Sequence, residues 1–429
     1  MNILIKNALA VLPDLTAKKT DVCIGGGFIV SVGQVPEGFV PDETIDGSDR
    51  LLTPGLVNAH AHAYMTVLRN RADDLDFDTW LFGRVMPAEE SLTSDEAYYS
   101  SLLGCAEMLS FGVTSYLDMH MFPGAAVRAP LDSGIRAVIS RGLSGGGDDI
   151  PGGVRRLREA KTEIEEFSGL DRISFMIAPH ALYTCSEEYM REAAETAQEL
   201  GIGIHTHISE AAGEGAGCAE RFGCTPVELY DRCGLLGEKT VAAHCVHISD
   251  SDIEILARRG VSVAINSASN LKLGNGFAPV EKLLSAGVNL ALGTDSTASN
   301  NNLSILREMQ LVSLIHKGLG GDPTLVSARD AFKMATAGGA KALGFGDTLG
   351  KIEAGAKADL ALFPTDIPSM MPLTDPVSAL SYSSCGLRAD TVIVNGDIVL
   401  KDGKPTKIDT ERLFFEINKI TEKLNARDR

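Results

Sequence analysis

Pro54-Gly55-Leu56-Val57-Asn58-Ala59-His60-Ala61-His62 is an apolar run that ends in two histidines spaced i, i+2. On a β-strand that spacing sends both imidazoles to one face, because successive side chains alternate. Two neutral imidazoles converging on one point are good ligands for a borderline divalent metal such as zinc. Two more ligands must then come from elsewhere, so every later His and Asp is weighed by whether it can stand beside this pair.

The texture of this run continues downstream. Apolar runs over 55–60, 114–119, 136–142 and 173–180, then 203–208, 240–246, 261–267 and 289–295, read as eight parallel strands. Helical patterns lie between them, among them 94–111, 186–200 and 250–259. Strand–helix repeats of this kind predict an α/β protein with a (β/α)8 TIM-type barrel, whose active site belongs at the carboxyl ends of the strands. Upstream, the first 55 residues are short and β-like, with a Gly25-Gly26-Gly27 turn between candidate strands. That texture returns after residue 345, where 391–394 meets 398–400 across Asn395-Gly396-Asp397, a hairpin signal. The economical arrangement is a small composite β-sandwich domain built from both termini (1–55 and 345–405). The barrel over 56–344 is inserted in it, and a charged amphipathic helix follows over 406–429.

The chain has 429 residues, of which 44% are hydrophobic, so a sizeable core is available and disorder is not the reading. Its formal net charge of -18 repels nucleic-acid phosphates and anionic membranes. There is no apolar run of about 18 residues and no charged-then-apolar leader, so a cytoplasmic protein is the expectation. The eight cysteines form no CxxC pair and no dense framework, and read as reduced thiols.

Nine histidines are present, and four of the predicted strands end in one or two of them. His60 and His62 close the first, His180 the fourth, His205 and His207 the fifth and His244 the sixth, while the eighth ends in Gly293-Thr294-Asp295. A single histidine at a strand end is more often a satisfied polar residue than a ligand. The joint placement on one barrel face is what points to a site.

With these residues in view, the chain resembles the amidohydrolase superfamily, mononuclear-metal branch, and within it the deaminases acting on S-adenosylhomocysteine, 5'-methylthioadenosine and related adenosines. The motifs that carry the resemblance are the stretch over 54–62, His207-x-x-Glu210, Ala242-Ala243-His244-Cys245-Val246-His247, Asn266 through Leu273, and Gly293-Thr294-Asp295-Ser296 with Ala298 through Asn302. The resemblance implies that His60, His62, His207 and Asp295 hold one divalent metal, Zn2+ first, with Fe2+, Mn2+ or Ni2+ compatible with the same ligands. The fourth strand holds no lysine of the kind that bridges two metals in dinuclear members, so one ion per subunit is expected. His205 points the same way as His207 but one layer deeper, and is read as a residue that supports the ligands from behind or as packing. His247 lies in the loop beyond its strand and is expected to be a capping or surface residue.

The resemblance further implies hydrolytic deamination at C6 of an adenine nucleoside by a hydroxide held on the metal, giving the inosine form and ammonia. Glu210 would pass a proton between the attacking water and the purine ring. His244 and Asp295 would orient or deprotonate that water. Trp80 would pack on the ligand and Glu89 (or neighbouring Glu90, if the register slips) would bind the ribose hydroxyls, and His180 would contact the sugar or its 5' substituent. Arg141, across a subunit interface of a homo-oligomer, and Arg155 (or Arg156, since Ile150-Pro151 looks inserted) would meet the carboxylate of a homocysteine-type substituent. His120 stands where a less polar residue is expected. Two alternatives remain open: a deaminase or chlorohydrolase of a ribose-free heterocycle such as a triazine, pterin or guanine, and a catalytically silent binding protein. The retained ligands and Glu210 argue against the second.

Overall fold

The computed structural model describes residues 1–427. The five N-terminal strands are β1 (Ile3–Val11), β2 (Ala17–Gly25), β3 (Phe28–Val32), β4 (Glu43–Asp46) and β5 (Arg50–Pro54). Eight barrel strands follow: β6 (Leu56–Ala61), β7 (Val113–His120), β8 (Arg136–Leu143), β9 (Ile173–Pro179), β10 (Gly203–Ile208), β11 (Thr240–His244), β12 (Ser262–Ile265) and β13 (Asn289–Leu292). They pair in chain order, all parallel. The chain then returns to the first sheet through β14 (Leu360–Pro364), β15 (Thr391–Val394), β16 (Asp397–Lys401) and β17 (Lys404–Pro405).

Barrel strands are buried on both faces, which is why they read as largely apolar runs rather than as strict alternation. Val57, Ala59, Leu117, Val138, Met176, Val241, Ala264 and Ala291 pack with Ala342 and Leu343 in one cluster. The helices between strands begin where local chemistry places them. Thr93 and Glu96 form a capping box ahead of Ser94–Ser110, Ser186 caps Glu187–Leu200, and Ser249 with Asp252 caps Asp250–Arg259.

The first sheet runs β17-β16-β15-β14-β5-β1-β2-β3, with β4 on β1, so strands from both ends of the chain share one hydrogen-bonded layer. It curls on itself: Phe28, at the start of β3, bridges Lys357, just ahead of β14. Ile3, Ile5, Val22, Ile24, Leu52, Leu360 and Leu362 fill its own core. Its hairpins follow turn chemistry, with Gly26 and Gly27 (φ 60° and 85°) between β2 and β3, and Asn395 and Gly396 (φ 52° and 79°) between β15 and β16. A buried two-pronged ion pair joins sheet to barrel: Arg136 of β8 donates from Nε and Nη2 to the Asp359 carboxylate at 2.8 and 3.0 Å. The C-terminal helix is observed over Thr410–Arg427, and the last two residues of the expected 406–429 segment lie outside the described residues.

Candidate active site

The barrel closes where its candidate ligands lie. The amides of Thr294 and Asp295 donate to the carbonyl of His60 (3.0 and 2.9 Å), and Ala61 bridges Asp295, so the first and last strands meet at this point. Gly293 permits the approach: a Cβ there would stand 2.3 Å from Asn266 Oδ1 and 2.8 Å from His60 Cβ. Asp295 Oδ1 lies 3.4 Å from His60 Nε2 and 3.3 Å from His62 Nε2. The His207 ring stacks at 5.5 Å on His62 and meets His60 edge-on at 4.9 Å. All four residues expected as ligands therefore converge. Ser209, His244, Cys245 and Asp295 adopt left-handed backbone (φ 52°, 74°, 49° and 58°), a concentration of strain typical of functional sites.

The donor chemistry fits a divalent ion. His62 and His207 donate from Nδ1 to the carbonyls of Met119 (2.8 Å) and His180 (2.7 Å), which leaves each Nε2 as a lone pair. His60 Nε2 is buried without a hydrogen-bond partner. Burial lowers the pKa of His62 and His207 and holds His60 at about 4, so all three are neutral, as ligands must be. Asp295 Oδ2 accepts from Ser269 (2.6 Å) and Ser299 (2.9 Å), leaving Oδ1 for the centre. Three neutral imidazoles and one carboxylate form a set that suits zinc and tolerates its neighbours.

Glu210 projects into the same cavity because its neighbour does the local structural work. Glu214 accepts from the amides of Ser209, Glu210 and Ala211 (3.2, 2.9 and 3.1 Å) and so satisfies the start of the Ala212–Phe222 helix. The Glu210 carboxyl accepts from Asn275 Nδ2 at 3.1 Å, and its other oxygen lies 3.7 Å from His244 Nε2. Burial pushes Glu210 up to about 7. His244 donates from Nδ1 to Asn270 Oδ1 (2.8 Å), which turns Nε2 inward. Burial works against its charged form, but the carboxylates of Glu210 and Asp295 hold its pKa above the usual value.

Trp80, Glu89 and His180 line this cavity too. Trp80 ends a short helix capped by Asp76, is 7% exposed, and donates from Nε1 to the carbonyl of Ala298 (3.2 Å). Glu89 accepts from the Tyr64 hydroxyl, and burial pushes it up to about 7. His180 pairs through Nδ1 with Thr184 Oγ1 (3.0 Å), and burial, with His62 and His60 nearby, lowers it to about 3.

The arginines are placed differently from the sequence expectation. Arg141 is buried beside the cavity, but it donates to Glu159 (3.1 Å), the Gly142 carbonyl (2.8 Å) and Met121 Sδ (3.0 Å); of these, Met121 reaches the cavity. Arg155 is not brought to the site: it is 59% exposed, pairs with Glu159 at 2.7 Å, and lines a separate surface cleft with Arg158. Arg156 comes nearer, donating to the carbonyl of Ser144 (2.9 Å), a residue of the cavity wall. Helical phase explains the exchange, since consecutive residues on the Ile150–Phe167 helix point about 100° apart. His120 does not enter the cavity. It forms a buried pair with Glu163 (3.0 Å) behind the turn that carries Met121. His247 is exposed, as expected.

Sequence reasoning missed Tyr64, Met121, Ser144 and Tyr183, which complete the wall without any motif to announce them. Ser269, Asn270 and Ser299 lie within matched motifs, yet nothing in the spacing says that they hold Asp295 and His244.

Comparison with known proteins follows the same lines. A sequence model of the amidohydrolase family matches residues 51–399. A 5-methylthioadenosine/S-adenosylhomocysteine deaminase of Acetivibrio thermocellus is 42% identical over 435 residues, covering 99% of this chain and 100% of that protein. A 5'-deoxyadenosine deaminase of Methanothermobacter thermautotrophicus is 45% identical over 365 residues, 85% of each chain. Among solved structures, an adenosine deaminase from Xanthomonas campestris with bound zinc superposes with a TM-score of 0.93 at 30% identity, over 99% of this chain and 98% of that one.

Proposed function

The chain belongs to the amidohydrolase family, and from that premise we propose that it is a metal-dependent aminohydrolase of adenine nucleosides. Its substrates are drawn from S-adenosylhomocysteine, 5'-methylthioadenosine, 5'-deoxyadenosine and adenosine, deaminated at C6 to the inosine form with release of ammonia. The observation that carries this reading is one cavity in which the His60–His62–His207–Asp295 cluster, the Glu210 carboxyl and the Trp80–Glu89 wall all meet.

His60, His62, His207 and Asp295 would hold one divalent ion, zinc first. Such an ion lowers the pKa of water toward about 7 and so makes a nucleophile available near neutrality. The rest of the work falls to side chains. Glu210, poised near 7, takes a proton from the attacking water and delivers it to the ring nitrogen, which must gain a proton as the C6 carbon becomes tetrahedral. His244, fixed by Asn270, presents Nε2 to the incoming oxygen, and Asp295 accepts from the same water. Trp80 supplies a flat apolar face for the purine. Glu89 accepts from two vicinal ribose hydroxyls, with the Tyr64 hydroxyl holding its carboxyl in place. His180 meets the sugar edge. Arg141 would reach a 5' carboxylate by exchanging its Glu159 partner, with a second copy of the chain completing that end of the pocket; Arg155 would have to leave its present cleft to join it.

The test follows ultraviolet absorbance as adenine becomes hypoxanthine, with metal content measured on the same sample. Its panel holds the four nucleosides, free adenine, guanine and an aminotriazine. Turnover of nucleosides with adenine inert is the expected result. Silence on every nucleoside from metal-loaded protein, with turnover of a ribose-free ring, would overturn the assignment of Trp80 and Glu89.

A further inference from the structure

Three imidazoles face the centre, but they are oriented by two different devices. His62 and His207 each donate from Nδ1 to a backbone carbonyl, Met119 at 2.8 Å and His180 at 2.7 Å. A carbonyl only accepts, so the proton position on each ring is decided outright. Among the described residues, no carbonyl is bonded to Nδ1 of His60. Its partner is another imidazole, His205 Nε2, at 2.8 Å. Such a contact can be made with the proton on either ring, and one of the two arrangements would leave His60 with a proton on Nε2, unable to act as a ligand.

The ambiguity is removed two residues away. His205 Nδ1 lies 2.9 Å from Ser140 Oγ, and Ser140 Oγ lies 2.7 Å from the carbonyl of Asp118. The carbonyl accepts the single hydroxyl proton, so Ser140 can only accept from His205, and the proton of His205 sits on Nδ1. Its Nε2 is then an acceptor, the His60 proton sits on Nδ1, and the unpartnered, buried Nε2 of His60 carries a lone pair into the cluster. All four residues are fully buried, which keeps water from substituting for any link.

We propose that His205 and Ser140 are positioning residues that set the ring tautomer of His60 for metal binding, relaying the directionality of the Asp118 carbonyl across two side chains. This rests on the metal-site reading above and extends it to residues on β8 and β10 that touch neither ion nor substrate. The chain of inference runs through hydrogen-bond direction and not through charge, so conservative replacements should rescue function. His205→Gln retains an acceptor facing His60, whereas His205→Leu retains volume alone. Ser140→Thr retains the hydroxyl, whereas Ser140→Ala removes it.

The readout is zinc affinity of the full chain, measured by competition with a chromophoric chelator, alongside far-ultraviolet circular dichroism. Loss of an orienting partner of this kind weakens metal binding by about 10- to 100-fold. His205→Leu and Ser140→Ala should show that loss, and His205→Gln and Ser140→Thr should stay within a few-fold of the parent protein. If His205→Leu does not fold, the Ser140 pair decides the matter. Equal affinity across a folded pair overturns the relay and leaves the metal site standing. A parent chain that binds no zinc overturns the metal-site reading, and the relay with it.

Discussion

Glu210→Gln removes one titratable proton from the cavity while keeping its shape. The amide oxygen still accepts from Asn275 Nδ2, now at 3.1 Å, and the amide nitrogen occupies the oxygen position 3.7 Å from His244 Nε2. None of the four proposed ligands is touched, so metal content should be unchanged. What is lost is proton transfer, which general acid–base groups accelerate by about 10²- to 10⁴-fold, or about 2.7–5.5 kcal/mol of transition-state stabilisation. The loss should appear in kcat, followed by the absorbance change of adenosine to inosine under saturating substrate. The pH profile adds a second check. Burial raises Glu210 to about 7 by disfavouring the charged form, and the carboxylate is the form that accepts a proton from water. Activity of the parent enzyme should therefore fall as pH drops through that value. A bound cation favours the carboxylate and moves the limb below 7, never above it. A variant that keeps its metal and turns over within fivefold of the parent would refute the proton route assigned here.

Three further outcomes are expected. His60→Ala should lose bound metal and activity together, read by elemental analysis and the same absorbance assay, in contrast to Glu210→Gln. Adenosine should be preferred to 2'-deoxyadenosine by about 5- to 150-fold in kcat/KM, because a buried Glu89 left without its hydroxyl costs about 1–3 kcal/mol; Glu89→Gln should shrink that preference, and an unchanged ratio would detach Glu89 from the ribose. Asp359→Ala should strand a guanidinium whose side chain is 3% exposed and lower stability by about 3–5 kcal/mol in urea unfolding, far from the catalytic cluster.

Much of this protein was legible from local pattern. Strands covered on both faces appear as apolar runs, so the eight barrel strands and their order could be read before any contact was known. The ligands were legible for the same reason: His60, His62, His207 and Asp295 each follow such a run, and strand periodicity sends the two members of His60–His62 to one face. The Asn395-Gly396 turn needed only its own two residues. What the chain could not disclose is which polar groups meet across the closed barrel. The His207-x-x-Glu210 spacing singled out Glu210, but nothing in the sequence shows that Glu214 holds it there, and only the packed helix start reveals that Glu214 satisfies the amides while Glu210 faces the cavity. Arg155 and Arg156 differ by one helical step, which is enough to send them to different surfaces. His120 reads as an odd residue near a pocket until Glu163, 43 positions away, is found against it. His205 reads as either packing or a support behind the ligands until closure brings it onto His60 across 145 residues. Periodicity reports which face a side chain takes. Its hydrogen-bond partner is chosen only when distant strands come into register, and here that choice separates a buried polar residue from a working one.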